Sequence, residues 1–456
     1  MSDKYNLGQM EISFSRKPSV VVIAVALALS LLWLVAQTVQ YVGASFDPFA
    51  SDWKAESSTF APKDSTYIPI MSQILFRHGD RTAVTSPIPK VSYPAADYYM
   101  CDMGRIESFT YKGDNSKERP NPSLKIIATD DEHEPVCEKG LLTAKGCRQH
   151  VALGGKMLQK YGNYYLQTST SERLSLTQLH ATNYDRTHKS LACFLKGFRL
   201  FEGEANLDVK VAQQASTILH PNSHCQQFVD AISDVYTTPE WITRWKSHGE
   251  PLVNPVAHEL GIAEDELLRY ITSKGKKGPL WESVFDQLHV RMSHALGFPG
   301  TLTQDMYDRV RKEASVQLGI AFSDQTMLEI GTMALMQMLY DEMDRRFTDY
   351  KKNRSPNLND RLQLRLYSGH DTTIIPMLCA MAVYDDEWPG YASHFDIQLA
   401  VKDENPFVRV YYQNSDTDTS ERLLKLPGCA QDVCTLKEFK AIAYQYRRNR
   451  ECDAIP

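Results

Sequence analysis

Arg77-His78-Gly79-Asp80-Arg81 sets an imidazole between two guanidiniums. Arginine forks match the oxygens of a phosphoryl group in charge and geometry. Their positive charge disfavours a protonated histidine and leaves it a free lone pair, which a nucleophile needs. Glycine beside it permits a tight turn and close approach of a bulky anion. Five residues of this kind equally suit a basic surface turn. Ser368-Gly369-His370-Asp371 is a second such segment, placed where a helix begins. Free N–H groups and the dipole of a helix N-terminus attract anions. There His370 can donate to a phosphoryl oxygen, while Asp371 can protonate a departing alcohol and later take a proton from water. An ordinary first-turn Asp beside a core histidine is the plainer reading. Asp185-Arg186-Thr187 is a third segment of the same kind and is weak by itself.

Each segment needs a strand behind it. Residues 67–76, 178–182 and 362–367 read as short apolar strands, and 407–412 as a late one. Helical patterns cover 143–161, 185–201, 372–382 and a long stretch at 323–347. Strand and helix alternate, which predicts an α/β fold: a three-layer core with a mainly parallel sheet flanked by helices. Residues 85–140 and 205–300 fit that alternation poorly and are expected to form a largely helical cap by insertion. Ligands bind beyond the carboxyl ends of strands in open α/β sheets. A parallel sheet could therefore converge Arg77, His78, Arg81, Arg186, His370 and Asp371 on one cleft.

The bulk numbers bound the partners. A net charge of −6 over 456 residues argues against a nucleic-acid binder, and 43% hydrophobic residues predict a well-filled core. Residues 18–46 carry no charge, Arg16 and Lys17 precede them, and Asp47 and Asp52 follow. The run exceeds the roughly 20 residues that span a bilayer. The organisation expected is a cytosolic tail (1–17), a single N-terminal transmembrane signal anchor (18–43), a stem (44–64) and a catalytic domain (65–456). The positive-inside tendency places that domain in a lumen or outside the cell, as a type II membrane protein. A cleaved signal peptide ending near Val42-Gly43-Ala44 is the rival. Nine cysteines without a CxxC pair do not suggest a zinc site. The lone sequon, Asn353-Arg354-Ser355, is followed by Pro356.

Together these segments resemble the histidine acid phosphatase family (histidine phosphatase superfamily, branch 2), from about residue 67 to 452. RHGDRTA resembles its signature, with Ala83 where proline is usual, and YSGHDTT resembles its His-Asp motif, with Gly369 where alanine is common. The family's third phosphate-binding arginine falls on Arg186, flanked by His180 and Asn183 where relatives carry Arg and Asp. The resemblance implies that His78 attacks phosphorus and forms a phosphohistidine. It implies that Arg77, Arg81, Arg186 and His370 hold the phosphoryl oxygens, that Asp371 handles the proton, and that no metal or other cofactor is needed. It also implies disulfides Cys429–Cys434, Cys225–Cys452 and Cys101–Cys137. Ser393 and His394 stand where relatives have a bridged cysteine, so that bridge is not expected. Cys147, Cys193 and Cys379 are left over as buried small hydrophobes.

The anchor and the Cys101/Cys137 bracket further resemble the type II membrane 2-phosphoxylose phosphatase, implying a Golgi enzyme acting on a phosphorylated glycan. The LPGCAQDVC loop resembles lysosomal acid phosphatases instead, implying a broad lysosomal or cell-surface enzyme. Expected partners are a phosphate monoester, the membrane and a second copy in a homodimer, and no nucleic acid. Two other classes compete. A metal centre could use His78, Asp80, His370 and Asp371, though Arg77 and Arg81 would repel a divalent cation. A membrane-anchored binding protein could keep the fold without catalysis.

Overall fold

A computed structural model of the chain describes residues 66–91, 109–110, 123–125, 139–165, 169–200, 206–211, 218–220, 225–272, 278–352, 361–418 and 420–446. All belong to the unit running from Phe60 to Pro456. The expected tail, anchor and stem, most of the first excursion, Asn353, Cys101, Cys137 and Cys452 lie outside the described residues. Among the described residues no helix is long and apolar enough to cross a membrane.

The sheet contains β1 (Ile68–Arg77), β2 (Phe109–Thr110), β3 (Ser123–Lys125), β4 (Thr177–Ala181), β5 (Asn206–Val211), β6 (Gln363–Gly369), β7 (His394–Lys402), β8 (Asn405–Gln413), β9 (Arg422–Leu423) and β10 (Cys434–Thr435). Their order is β10-β8-β7-β1-β6-β4-β5-β3-β2, with β9 on β8. Only the central four, β1, β6, β4 and β5, run parallel. The flanks are antiparallel, which corrects the expectation of a mainly parallel sheet. The cause on one flank is local. Asp403 and Glu404 both hold positive φ, 48° and 63°, and make a two-residue hairpin between β7 and β8. Such a turn can join only antiparallel strands.

Period-two alternation splits each central strand between two layers. Ile74 and Phe76 of β1 pack with Leu364 and Leu366 of β6 against helices Ala144–Tyr165 and Asp185–Phe198. Leu75 and Tyr367 point the other way, toward helices Met333–Lys352, Asp371–Ala380 and Leu436–Ala443. The three-layer core is therefore present. A separate apolar core unites the cap helices between Gln226 and Gly331, among them Glu282–Ser293 and Gln304–Ser323. The cap thus starts after β5, a sheet strand inside the expected insertion, and extends past residue 300. The expected helix at 323–347 is broken. Asp324 caps a short helix, Gln325–Gly331, by accepting from the Met327 N–H at 3.1 Å, and Met333–Lys352 starts afresh after Thr332.

The disulfide Cys429–Cys434 forms as expected, with Cα atoms 5.0 Å apart. Cys225 is also disulfide-bonded, and its expected partner Cys452 lies outside the described residues. Cys147 and Cys193 were expected as free buried thiols. They instead form a disulfide, Cα atoms 5.4 Å apart, between the two helices packed on one sheet face. Cys379 is free.

Candidate active site

The three chemistry-bearing segments leave three adjacent parallel strands. β6 lies between β1 and β4, and its end is in register with both: Arg77 pairs with Gly369, and Ala181 with Ser368. His78, His370 and Arg186 consequently emerge at the same edge. The His78 N–H donates to the Gly369 carbonyl at 2.9 Å, and the Gly79 N–H donates to Ser190 Oγ at 3.1 Å. Gly79 is required for a different reason than the expected tight turn. Its φ is not positive, but a Cβ there would overlap the Gly146 backbone at the start of helix Ala144–Tyr165.

All six expected residues line one cleft of about 190 Å³. His78 is buried, and its Nδ1 lies 2.8 Å from the Gly79 carbonyl. Only a protonated Nδ1 can donate to that oxygen, so Nε2 carries the lone pair. Burial lowers the His78 pKa well below the ordinary histidine value, and Arg186, Arg81 and Arg77 lower it further. The ring is therefore neutral in mildly acidic solution.

The arginines differ in their partners. Arg77 donates to Asp371 Oδ2 at 2.8 Å and to the Pro389 carbonyl at 2.5 Å, and lies over the Tyr391 ring. Arg81 donates to Asp286 Oδ1 at 2.7 Å. Arg186 has no carboxylate partner among the described residues; it reaches His370 Nδ1 at 3.3 Å and lies over Tyr184. Burial and the neighbouring Arg81 lower its pKa to about 10. Asp371 and Asp286 offset this only in part, and an anion entering the cleft would favour the charged form further.

His370 caps helix Asp371–Ala380, and its Nε2 sits 2.8 Å from Thr182 Oγ1. Burial, then His220 and Arg186, hold its pKa well below the ordinary value. Because the Thr182 hydroxyl donates to Thr187 and the Arg186 N–H points at Nδ1, Nε2 carries the proton in the empty cleft; His370 could donate from Nδ1 to a bound oxygen only once that oxygen has drawn Arg186 away and the ring has changed tautomer. Asp371 Oδ1 accepts from the Thr372 N–H at 2.8 Å. Burial alone would raise its pKa, but Arg77, Arg81 and the Thr372 N–H outweigh burial and lower it. In the empty cleft Asp371 is thus a carboxylate.

Several lining residues were not anticipated. Cap helix Glu282–Ser293 contributes Glu282, Phe285, Asp286 and His289, one stripe at spacing i, i+3, i+4, i+7. That stripe was the readable signal. Asp286 holds Arg81 and also accepts from Thr85 N–H and Oγ1, each at 2.9 Å. Burial would raise its pKa, yet Arg81 prevails and lowers it. His220, Thr372, Trp388 and Val84 complete the wall. His220 follows no motif; its Nδ1 lies 2.8 Å from Thr372 Oγ1. His180 and Asn183 do not line the cleft, and His180 stacks on Tyr367 instead.

Of the four residues weighed for a metal centre, His78, His370 and Asp371 line the cleft and Asp80 does not. Asp80 does not line the cleft: Thr143 Oγ1 donates to it at 2.5 Å, Ser293 Oγ bonds it, and His294 Nε2 lies at 2.6 Å. Among the described residues no group of three or more His, Cys, Asp or Glu is placed to hold a metal ion.

A buried imidazole flanked by three guanidiniums at aligned strand ends is chemically suited to phosphoryl transfer. The profile of the histidine phosphatase superfamily (branch 2) matches residues 70–413. The chain belongs to that family. Counting factor 60 of Dictyostelium discoideum is 25% identical over 389 residues, covering 82% of this chain and 85% of that protein. Lysosomal acid phosphatase of Xenopus laevis is 24% identical over 330 residues, covering 69% and 71%. Among solved structures, Hafnia alvei phytase in complex with tartrate has a similar fold, with a TM-score of 0.56 at 14% identity, covering 86% of this chain and 100% of that one. The expected enzyme class, a phosphatase, stands with the family.

Proposed function

We propose that this chain is a metal-independent acid phosphatase that hydrolyses phosphate monoesters through a phosphohistidine on His78. The observation that carries this reading is the buried His78, with Nδ1 turned to the Gly79 carbonyl and Nε2 left as the nucleophile beside Arg77, Arg81 and Arg186. In the first step Nε2 attacks phosphorus, the bond to the ester oxygen breaks, and that oxygen leaves with a proton from Asp371. In the second step water attacks phosphorus, its proton goes to Asp371, and the P–N electron pair returns to His78. Arg77, Arg81, Arg186 and His370 hold the equatorial oxygens and neutralise their charge, the main requirement of phosphoryl transfer.

Disulfides support a lumenal or extracellular catalytic domain, because they persist there. The matched relatives favour a broad lysosomal-type enzyme over the Golgi glycan phosphatase. The latter rests on the anchor and on Cys101 and Cys137. Hydrolysis of p-nitrophenyl phosphate from pH 4 to 7, with and without EDTA, tests the proposal. Turnover should survive EDTA and be strongest on the acid side. No hydrolysis at any pH would favour the binding-protein reading, and loss in EDTA restored by a divalent metal would favour the metal centre.

A further inference from the structure

Asp80 belongs to the segment that carries His78, yet it is fully buried and does not line the cleft. Its carboxylate collects three donors. Thr143 Oγ1 at 2.5 Å and His294 Nε2 at 2.6 Å reach Oδ1, and Ser293 Oγ reaches Oδ2. A carboxylate only accepts, so His294 Nε2 carries the proton. Burial would raise the Asp80 pKa, but His294, Ser293 and Thr143 outweigh burial and lower it. Lys145 extends the chain by donating to the Ser293 carbonyl and, at 3.0 Å, to Ser293 Oγ.

These donors arrive from opposite sides of the loop. Thr143 immediately precedes helix Ala144–Tyr165, and Gln149 of that helix accepts the Asp80 N–H at 2.7 Å. Backbone contact is close on this side, since a Cβ on Gly146 would overlap the Asp80 carbonyl. Ser293 ends cap helix Glu282–Ser293, and His294 is its C-terminal cap. The same cap helix holds the next residue of the loop, Arg81, through Asp286. Asp286 and Ser293 stand two turns apart, about 10 Å along the helix. The cap thus grips the loop after His78 at two separated points. One grip would let the loop pivot, whereas two fix both its place and its direction.

Building on the phosphomonoesterase reading, we propose that Asp80 and His294 are positioning residues: through their hydrogen bond the cap helix sets where His78 and Arg81 stand for phosphoryl transfer. His294 does not line the cleft either, so the pair acts through the loop and not on the substrate. A displacement of about 1 Å produced far from the chemistry can cost about 10²-fold in rate. In-line attack feels such a shift most, because only the transition state needs Nε2, phosphorus and Arg81 aligned.

The test measures kcat/KM for p-nitrophenyl phosphate and the inhibition constants of vanadate and inorganic phosphate. Vanadate mimics the five-coordinate phosphorus of the transition state, and phosphate the ground state. The variants are His294→Leu, His294→Gln, Asp80→Asn and the Asp80→Asn/His294→Leu pair. Leucine removes the donor, whereas glutamine places one where Nε2 stood. His294→Leu should lower kcat/KM about 10- to 100-fold. Vanadate should weaken in proportion, with phosphate binding almost unchanged, and His294→Gln should recover most of the loss. The double variant should lose no more than the worse single one, because both break one path; independent effects would multiply. Full activity in His294→Leu, glutamine no better than leucine, equal weakening of vanadate and phosphate, or multiplied losses would each overturn the proposal. Should the Asp80 variants not fold, the two His294 variants at the cap edge decide. A wild type that does not hydrolyse p-nitrophenyl phosphate would instead sink the phosphomonoesterase reading, and this proposal with it.

Discussion

Replacing Asp371 by asparagine separates proton donation from positioning. Asparagine keeps the shape and the oxygen that accepts from the Thr372 N–H. Arg77 loses an ion pair but remains held by the Pro389 carbonyl and the Tyr391 ring, so the cradle should persist. What disappears is the transferable proton. A positioned general acid contributes about 10²–10⁴-fold when the leaving group needs it. An alkoxide needs it, whereas p-nitrophenolate departs readily without it. Asp371→Asn should therefore cut kcat/KM about 10²-fold or more for alkyl phosphates, and less than about tenfold for p-nitrophenyl phosphate. The assay is kcat/KM, which reports the first step, across aryl and alkyl phosphates of graded leaving-group acidity. The variant should show a steeper dependence on that acidity than the wild type. In the wild type, Arg77 and Arg81 hold Asp371 ionised in the empty cleft, so its proton must arrive with the substrate. Phosphate monoesters keep a proton below about pH 6, which places the activity on the acid side. An equal loss for every leaving group would refute proton donation and leave Asp371 only the task of orienting Arg77.

Asp286→Asn should cost about 3–5 kcal/mol of stability, because it leaves the buried Arg81 without its carboxylate. It should also lower kcat/KM by misplacing Arg81; urea unfolding and steady-state kinetics check the two effects. Removing the Cys147–Cys193 bridge frees a loop of 46 residues in the unfolded chain and should cost about 4 kcal/mol, read from urea unfolding of the Cys147→Ala/Cys193→Ala pair. Stability should fall with acid. Burial depresses His150 to about 3 and His188 and His220 to about 4, so the unfolded chain takes up protons first. Their contribution is complete above the unfolded value near 6.5 and is lost as the pH falls toward the folded values. His150→Phe, which packs beside Phe76, should reduce the stability lost between pH 6.5 and pH 5 by about 2 kcal/mol. An unchanged slope would show that His150 does not drive it.

Legibility in the sequence followed the range of the interactions. Arg77, His78, Arg186, His370 and Asp371 were readable because each sits at or just past the carboxyl end of a strand marked within a few residues. β7 was missed although Phe395, Ile397, Leu399 and Val401 alternate. Its other face carries Asp396 and Gln398, which look solvent-exposed until Lys160 and Tyr161 arrive from a distant helix to satisfy them. Asp286 and His289 were missed because their stripe joins the site only through the cap, about 200 residues after His78. The Cys147–Cys193 bridge depends on two helices packing face to face, and connectivity of that kind is not written in spacing.

Phosphoenzyme trapping tests the role of His78 most directly. The wild type is mixed briefly with radiolabelled p-nitrophenyl phosphate and quenched in alkali, where phosphohistidine survives. The label should map to the peptide containing His78, be lost on acid treatment, and be absent from folded His78→Ala, which should not turn over. Label on any other residue, or turnover by folded His78→Ala, would contradict the nucleophile assignment.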